Sequence, residues 1–380
     1  MISLGVIFLA ALAFDALGRR TPLPRVTMLI LFGFVAGPSG LDFFPDLTQA
    51  WFPVVADMAL VMVGFLLGGR LTLRELRERG GTVIRISLAV VVVTFVLVGL
   101  GLAALGVPLA IVLLLAAIAA ATDPAATVDV VHEARVDTPF SNTLLDIVAV
   151  DDAWGLIIFS VALAFSQLVV GDGAAEVLLH GAWELGGALV LGIAIGVPMA
   201  AVVGRVEPGE PSLYEALGAV FLCGGVAMLA NVSFLLAAMI MGAVVENRAR
   251  HHNRPFHAIE GIEWPFMTVF FVLAGASLEL EVLSHAGVLL GAYVVLRILG
   301  RLAGGWIGGS FSQQDHFARR WIGLALLPQA GVALGMALVA AQRFPEIGEG
   351  ILPVVVAATA IFEVFGPVAT RAALRGSTHG

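Results

Sequence analysis

The chain has 380 residues, of which 59% are hydrophobic and 13% charged, and its formal net charge is −8. Because soluble domains carry about 25% charged residues, this composition excludes an ordinary soluble protein and predicts an all-α polytopic membrane protein. The 20 basic residues are all arginine, and the single cysteine, Cys223, excludes an internal disulfide and a cysteine-ligated metal cluster.

Thirteen apolar stretches, each close to the roughly 20 residues that a spanning helix needs, follow one another along the chain. The first has neither the basic start nor the small-residue cleavage site of a signal peptide, so we interpret it as a membrane span. No stretch alternates like a barrel strand. Spans 1 to 13 are predicted at 2–18, 26–41, 50–69, 82–105, 108–133, 140–168, 176–204, 213–230, 232–246, 257–278, 286–308, 320–341 and 350–369.

The arginines support this number of spans. Arginines collect in the loops after the odd-numbered spans, whereas the alternate loops hold Arg343 and several acids. Cytoplasmic loops are enriched in Lys and Arg. We therefore expect a protein of the cytoplasmic membrane, with its N-terminus outside the cell and its C-terminus in the cytoplasm. The arginines of the predicted cytoplasmic loops are Arg19, Arg20, Arg25, Arg70, Arg74, Arg77, Arg79, Arg135, Arg205, Arg248, Arg250, Arg254, Arg319, Arg320, Arg371 and Arg375.

An odd number of spans leaves room for two inverted six-helix repeats, an architecture typical of transporters. We expect repeat one at 1–168, a connecting helix at 176–204 and repeat two at 213–375, together forming a single membrane domain. We expect no soluble regulatory domain, because the sequence ends at Gly380.

Spans 5 and 12, at matching positions in the two repeats, each contain a proline inside the apolar run. Span 5 reads AATDPAAT around Pro124, and span 12 reads LALLPQAGVALG around Pro328. Proline removes a backbone donor and blocks the helix before it. In span 5, Thr122 or Asp123 is suited to cap a new half-helix that begins at Pro124. We therefore predict two broken, crossing helices rather than simple kinks, and the freed carbonyls at the breaks are suited to coordinate a monovalent cation.

Span 6 contains two adjacent acids, Asp151 and Asp152, in the stretch AVDDAWGL. A carboxylate in the bilayer is costly, so intramembrane acids are rare and usually functional. Such a group is neutralised either by a proton or by a cation, and competition between the two at an alternately exposed site is sufficient for exchange. The structural alternative is a buried polar network that locks helices together.

Several stretches resemble the cation:proton antiporter superfamily: LILFGFVAGPSGL in span 2, ATDP in span 5, the DD pair, FVLAGASLEL at the end of span 10, RILGRLAGGWIGG in span 11 and EVFGPVATR in span 13. The Asp-Asp pair, and Leu67 where the other branch often has an acid, are similar to the second branch, the bacterial sodium/proton and potassium/proton antiporters. The resemblance covers nearly the whole chain.

This resemblance implies roles for particular residues. Asp152 is expected to be the principal ligand of cation and proton, with Thr122 as a further cation ligand and Asp123 completing the site. Asp151 is expected to pair with a basic residue of span 11. The branch usually has lysine there, and the alignment of RILGRLAGG places Arg301 at that position, where it is a permanent charge rather than a proton carrier. Arg297, one turn earlier, is the alternative partner, although we expect it to lie nearer one membrane face.

The remaining intramembrane polar residues are weaker candidates. Glu363 and Asp57 are the first choices among the isolated acids, and Gln329 at the second break is a further candidate. Asp15 and Glu184 are as readily explained by structure.

The sequence thus predicts a secondary antiporter that exchanges a monovalent cation, sodium first, for protons. A potassium/proton exchanger is the alternative, followed by a cation channel, which would not need two broken helices. The eight histidines suggest no catalytic constellation, so we do not expect an enzyme. We expect no cofactor and no nucleic acid; the partners are the lipid bilayer and, as the resemblance implies, a second copy in a homodimer.

Overall fold

The computed structural model describes residues 2–18, 25–38, 40–41, 43, 52–134, 138–170, 174–203, 212–249, 253–277, 287–312, 316–329 and 331–376. These residues form helices and connecting turns, and no strand occurs among them. The helices are α1 (Ile2–Gly18), α2 (Arg25–Ala36), α3 (Phe52–Gly69), α4 (Leu73–Ala104), α5 (Leu109–Ala119), α6 (Pro124–Ala134), α7 (Pro139–Val170), α8 (Ala174–Val203), α9 (Ser212–Leu229), α10 (Phe234–Arg248), α11 (Asn253–Ala276), α12 (Gly287–Phe311), α13 (His316–Ala325), α14 (Gly331–Arg343) and α15 (Pro345–Gly376).

The helices confirm the predicted all-α fold. In the described residues, each predicted span contains one helix, except that spans 5 and 12 contain two, α5 with α6 and α13 with α14. The largest shift of a boundary is at α4, which begins nine residues before the predicted 82. There the helix continues into the charged stretch LRELRERGG, which an apolar window cannot include.

Six helices in the described part of the chain are long and apolar enough to cross a membrane. They contain Gly81–Ala104, Pro139–Gln167, Gly181–Val202, Arg254–Ala276, Gly287–Phe311 and Gly350–Gly376. Other apolar helices are shorter, at 10–17 residues, and α5 and α14, one half of each broken span, are among them.

The chain divides into two compact units. The first unit comprises Met1–Phe52, Gly81–Gly155 and Thr268–Gly380, and the second comprises Pro53–Gly80 and Leu156–Met267. The first unit therefore holds most of α4, both broken spans, the Asp151 half of α7, and α12 to α15.

Glycines let α4 and α12 of the first unit pack closely. A Cβ on Gly300, Gly304 or Gly308 would lie 2.6–2.8 Å from the Cα of a residue on α4. The three contacts run in opposite directions along the two helices, from Thr94 through Val90 to Ile86. Small residues at every fourth position allow such close packing in membranes. This packing holds the face of α4 that carries Ser87 against α12.

In the second unit, α10 packs against both α3 and α8 through glycine. A Cβ on Gly68 would overlap the carbonyl oxygen of Met239, and one on Gly192 would lie 2.6 Å from that of Ala237. The turn between α9 and α10 places Asn231 at φ 53°, a conformation that asparagine tolerates better than most residues. The indole N–H of Trp183 donates to the carbonyl oxygen of Ala230 at 3.0 Å in the same turn.

Candidate functional site

The two broken spans meet at their breaks. The first break is the non-helical segment between α5 and α6, and α6 begins at Pro124 as predicted. The second separates α13 from α14. The backbone N–H of Asp123 donates to the carbonyl oxygen of Pro328 at 2.9 Å. The two breaks therefore form one junction in the first unit.

The breaks create four half-helix ends with opposite partial charges. A helix C-terminus carries about half a negative charge and an N-terminus about half a positive one. The ends of α5 and α13 thus supply about one negative charge, and the starts of α6 and α14 about one positive charge. These partial charges favour oppositely charged side chains at the junction, even when no ion is bound.

Arg297 of α12 compensates the negative ends, and its side chain is 0% exposed. Its guanidinium donates to the carbonyl oxygens of Ala119 at 3.1 Å and Ala121 at 2.8 Å at the first break. At the second break it donates to Leu327 at 2.8 Å and Pro328 at 3.4 Å.

The expectation that Arg297 lies nearer a membrane face was therefore wrong. The guanidinium carbon also lies 4.2 Å from the ring centre of Phe362 on α15, a cation–π contact. One side chain thus links α12 to both breaks and to α15.

Arg301, one turn further along α12, forms an ion pair with Asp151. Its Nη1 lies 2.8 Å from Oδ2 of Asp151, and both side chains are 0% exposed. Its Nη2 donates to the carbonyl oxygens of Ala120 and Ala119 at the first break. The pair predicted from the sequence is thus present as a contact, and its role in transport stays a prediction.

Two hydroxyl groups complete the surroundings of Asp151. Ser87 of α4 donates to Oδ1 at 3.1 Å, and Thr122 at the first break donates to Oδ2. Both hydroxyl groups are buried. With Arg301, three donors from three different elements hold both oxygens of this carboxylate.

Asp152 follows Asp151 on α7, but its side chain lies outside the described residues. Neighbours on a helix point about 100° apart.

Asp123 and Glu363 form a second acidic contact at the junction. The side chain of Glu363 on α15 lies beside that of Asp123, and Glu363 is 3% exposed. The structure thus brings together two residues that the sequence suggested separately.

Gln329 lies at the second break and is 0% exposed. Its Nε2 is 3.1 Å from the carbonyl oxygen of Ile118 on α5 and 3.1 Å from the hydroxyl oxygen of Tyr293 on α12. It joins the second break to the end of α5. In this position Gln329 acts as a cross-link between the two broken spans.

The other isolated acids lie elsewhere or cannot be placed. Asp57 on α3 and Glu184 on α8 belong to the second unit. The side chain of Asp15 lies outside the described residues. None of these three is among the contacts described for Asp151.

Sequence reasoning missed Ser87 and misplaced Arg297. Ser87 is a single hydroxyl in the apolar run IRISLAVVVV, a pattern that does not distinguish a functional donor from a structural serine. Arg297 had a usable signal, because a second arginine one turn from Arg301 shares its helical face.

Two curated proteins have similar sequences. The high-affinity Na⁺/H⁺ antiporter NhaS3 of Synechocystis sp. is 22% identical over 358 residues, covering 90% of this chain and 75% of that protein. The ammonium/H⁺ antiporter subunit AmhT of Alkalihalophilus pseudofirmus is 21% identical over 316 residues, covering 81% and 79%.

The fold is similar to that of a solved antiporter. The sodium proton antiporter MjNhaP1 of Methanocaldococcus jannaschii at pH 8 superposes with a TM-score of 0.81 at 20% identity, over 99% of this chain and 98% of that one. An electron-microscopy structure of MjNhaP1 gives a TM-score of 0.71 at 20% identity, with 100% and 96% covered.

The family model for the transmembrane region of sodium/hydrogen exchangers matches residues 4–375. That range contains both breaks, the adjacent acids Asp151 and Asp152 of α7, and both buried arginines. The chain belongs to the sodium/hydrogen exchanger family.

Proposed function

We propose that this protein is a secondary antiporter that exchanges a monovalent cation, sodium first, for protons, and that Asp152 binds both in turn. The observation that carries the proposal is the complete occupation of Asp151. Because Arg301, Ser87 and Thr122 hold both of its oxygens, Asp151 is a fixed charge. Its neighbour Asp152, the second acid of the pair, is the residue that the family resemblance assigns to the transported ions.

Exchange follows from the cost of an unpaired charge in a dehydrated site. A carboxylate at Asp152 is stabilised by a proton or by a cation, and each excludes the other. If the site opens to one side of the membrane at a time, a bound cation leaves on one side and a proton returns in its place. No covalent chemistry is required, and the protein acts as a transporter rather than an enzyme.

Thr122 is suited to serve as a second ligand. Its hydroxyl hydrogen is directed to Asp151, so the oxygen keeps a lone pair for a cation. We propose that Thr122 and Asp152 contribute oxygens to the cation, and that Asp123, beside Glu363, completes the site.

We propose two inverted repeats, at 1–168 and 213–375, joined by a connecting helix at 176–204. The support is that both breaks fall in the fifth helix of each six-helix set and meet in space. We also propose that the protein lies in the cytoplasmic membrane, with the N-terminus outside, and works as a homodimer. Membership of the sodium/hydrogen exchanger family supports a chain that crosses the membrane several times.

Dye dequenching in everted vesicles tests the function. After respiration has acidified the vesicles, addition of Na⁺, K⁺ or Li⁺ should release protons in the wild type, with Na⁺ effective at the lowest concentration. Asp152→Asn should abolish the response, because an amide can neither release a proton nor neutralise a cation.

Glu184→Gln is the matched control, since Glu184 is a buried acid (7% exposed) of the second unit. It should retain the response at similar protein abundance. An Asp152→Asn variant that keeps half of the wild-type exchange would remove Asp152 from the site.

Ammonium is the second candidate cation, because one relative is named an ammonium/H⁺ antiporter subunit. Ammonia crosses bilayers unaided and collapses a pH gradient by itself. The ammonium response must therefore be judged as the difference between wild-type and Asp152→Asn vesicles. If this difference is larger for ammonium than for sodium, ammonium and not sodium is the main transported cation.

A further inference from the structure

The carbonyl oxygens released by the two breaks are already bonded to arginine. Oxygens of Ala119, Ala121, Leu327 and Pro328 accept from Arg297. The oxygens of Ala119 and Ala120 also accept from Arg301. In this structure, therefore, the freed carbonyls hold guanidinium groups and are not an open cage for a cation.

Arg297 contributes most to this occupation, and it differs from Arg301 in what it contacts. Arg301 pairs with a carboxylate, whereas the partners of Arg297 are four carbonyl oxygens and the face of Phe362. A guanidinium keeps its proton under all ordinary conditions. Arg297 is thus a permanent resident cation at the negative ends of α5 and α13.

Backbone carbonyls and carboxylates select cations differently. A ring of carbonyl oxygens offers several weak dipoles and accommodates larger, easily dehydrated ions such as K⁺ or ammonium. A carboxylate with a hydroxyl offers few oxygens with a full charge. Which set of oxygens the transported ion reaches therefore affects which ion is preferred.

We propose that Arg297 is a specificity-determining positioning residue: its guanidinium fills the carbonyl cage of the junction and confines the transported cation to side-chain oxygens. This inference rests on the proposed cation exchange. It predicts that truncation of Arg297 exposes a site of guanidinium size, lined by four carbonyl oxygens. A monovalent cation such as K⁺ then enters this site.

Thermal unfolding of the purified protein tests occupation of the cage without any transport. Arg297→Ala should lower Tm by roughly 5–10 °C, since four buried carbonyl oxygens lose the guanidinium and only those of Ala119 and Pro328 keep a donor described here, from Arg301 and from the N–H of Asp123. Millimolar methylguanidinium should restore at least half of that loss, whereas urea at the same concentration, which carries no charge, should not. Wild type should not respond to methylguanidinium.

Arg85→Ala is the matched control. Arg85 also donates to backbone carbonyls, those of Gly81 and Phe311, but it is exposed. Its removal should change Tm little, and methylguanidinium should have no effect. A similar restoration in Arg85→Ala would show a general solute effect and overturn the assignment.

Cation selectivity in proteoliposomes tests the second half of the proposal. The ratio of half-saturation concentrations for K⁺ and Na⁺ should fall by roughly threefold or more in Arg297→Ala. Arg297→Lys keeps the charge but not the planar fork. It should fold even if Arg297→Ala does not, and its ratio should shift in the same direction by a smaller factor.

The outcomes separate this inference from the proposed function. Absence of exchange in the wild type would reject the proposed function, while Tm restoration would still report occupation of the cage. Two results would overturn the inference and leave Arg297 with a purely structural role. One is a lowered Tm that methylguanidinium does not restore, and the other is an unchanged ratio of half-saturation concentrations for K⁺ and Na⁺ in both variants.

Discussion

Asp151 is buried, and three side chains donate hydrogen bonds to its carboxylate in place of water. Its ion pair with Arg301 and its contacts with Ser87 and Thr122 come from α12, α4 and the first break. A buried charge of this kind is retained only when its partners compensate for lost hydration. Removal of one partner should therefore lower the free energy of unfolding by more than the net contribution of that contact, because the carboxylate stays buried without compensation.

The first prediction concerns Arg301→Ala. It should lower the free energy of unfolding by about 3–5 kcal/mol, because it leaves a buried carboxylate without its counter-charge. Thermal unfolding in detergent measures the change. Arg301→Lys should recover part of it. If the alanine variant matches the wild type in Tm and in transport, the ion pair has no role.

The second prediction concerns Ser87→Ala, which removes one donor to a charged acceptor. We expect a loss of about 1.5–3 kcal/mol and a lower maximal exchange rate. Ser160→Ala, at a buried serine of α7 in the second unit, serves as the comparison and should be milder. Equal losses at both positions would mean that Ser87 only fills space.

The sequence was informative about these residues only where a charge or, for Thr122, a helix break marked them. The two acids and Arg301 stand out in apolar runs, so their pairing could be proposed. Ser87 carries no charge and gives no comparable signal. Arg297 was misplaced because a linear pattern, although it predicted free carbonyl oxygens at the breaks, does not state which side chain meets them after the chain folds.

At the scale of elements, α12 is positioned by its glycines. Gly300, Gly304 and Gly308 bring it against α4, and Gly305 brings it against Gly323 of α13. Both arginines are therefore carried by a helix with little freedom to shift. The glycine spacing in RILGRLAGGWIGG serves packing, while the arginines between serve the junction.

The third prediction concerns Gly304→Ala. The added Cβ would lie 2.6 Å from the Cα of Val90, so backbone must move rather than a flexible side chain. We expect destabilisation of about 1–3 kcal/mol or more, measured as a lower Tm with reduced exchange.

Gly291→Ala on the same helix is the matched control, because no atom of the described residues lies within 4 Å of the place that its Cβ would take. It should leave Tm unchanged or slightly raise it, since alanine favours helix. A Gly304→Ala variant as stable as Gly291→Ala would refute the close contact.

The breaks were predictable because proline acts locally. Pro124 and Pro328 interrupt their helices through the chemistry of their own backbone, and α6 begins at Pro124. The meeting of the two breaks through Asp123 and Pro328 is a contact between distant segments. Only symmetry between repeats suggested it, and no local pattern could establish it.

At the scale of the whole molecule, the arginine distribution and the apolar runs agreed on thirteen spans, and the helices match those spans. This agreement has a physical basis, since hydropathy sets where a chain crosses a bilayer and loop charge sets its direction. Division into two compact units was not predictable, because the unit boundary at Gly155 and Leu156 lies inside α7. Nothing in a continuous helix marks such a point.

The fourth prediction concerns the protein as an exchanger. If proton and cation compete for one site, the half-saturation concentration for sodium should rise by up to about tenfold per pH unit as pH falls in the range where the site is protonated. The maximal rate should change less. Proteoliposomes with symmetrical pH provide the measurement, and a half-saturation concentration independent of pH would require separate sites.

The distance along the chain between Asp151 and Arg301 has a consequence for biosynthesis. The two residues are 150 positions apart. At about 5–20 residues per second, the ribosome completes Asp151 roughly 8–30 s before it reaches Arg301. During insertion, α7 must therefore carry its acid without a counter-charge, either protonated or kept near water. A late-arriving arginine then fixes the charge, so assembly of this junction is a closing step of membrane insertion.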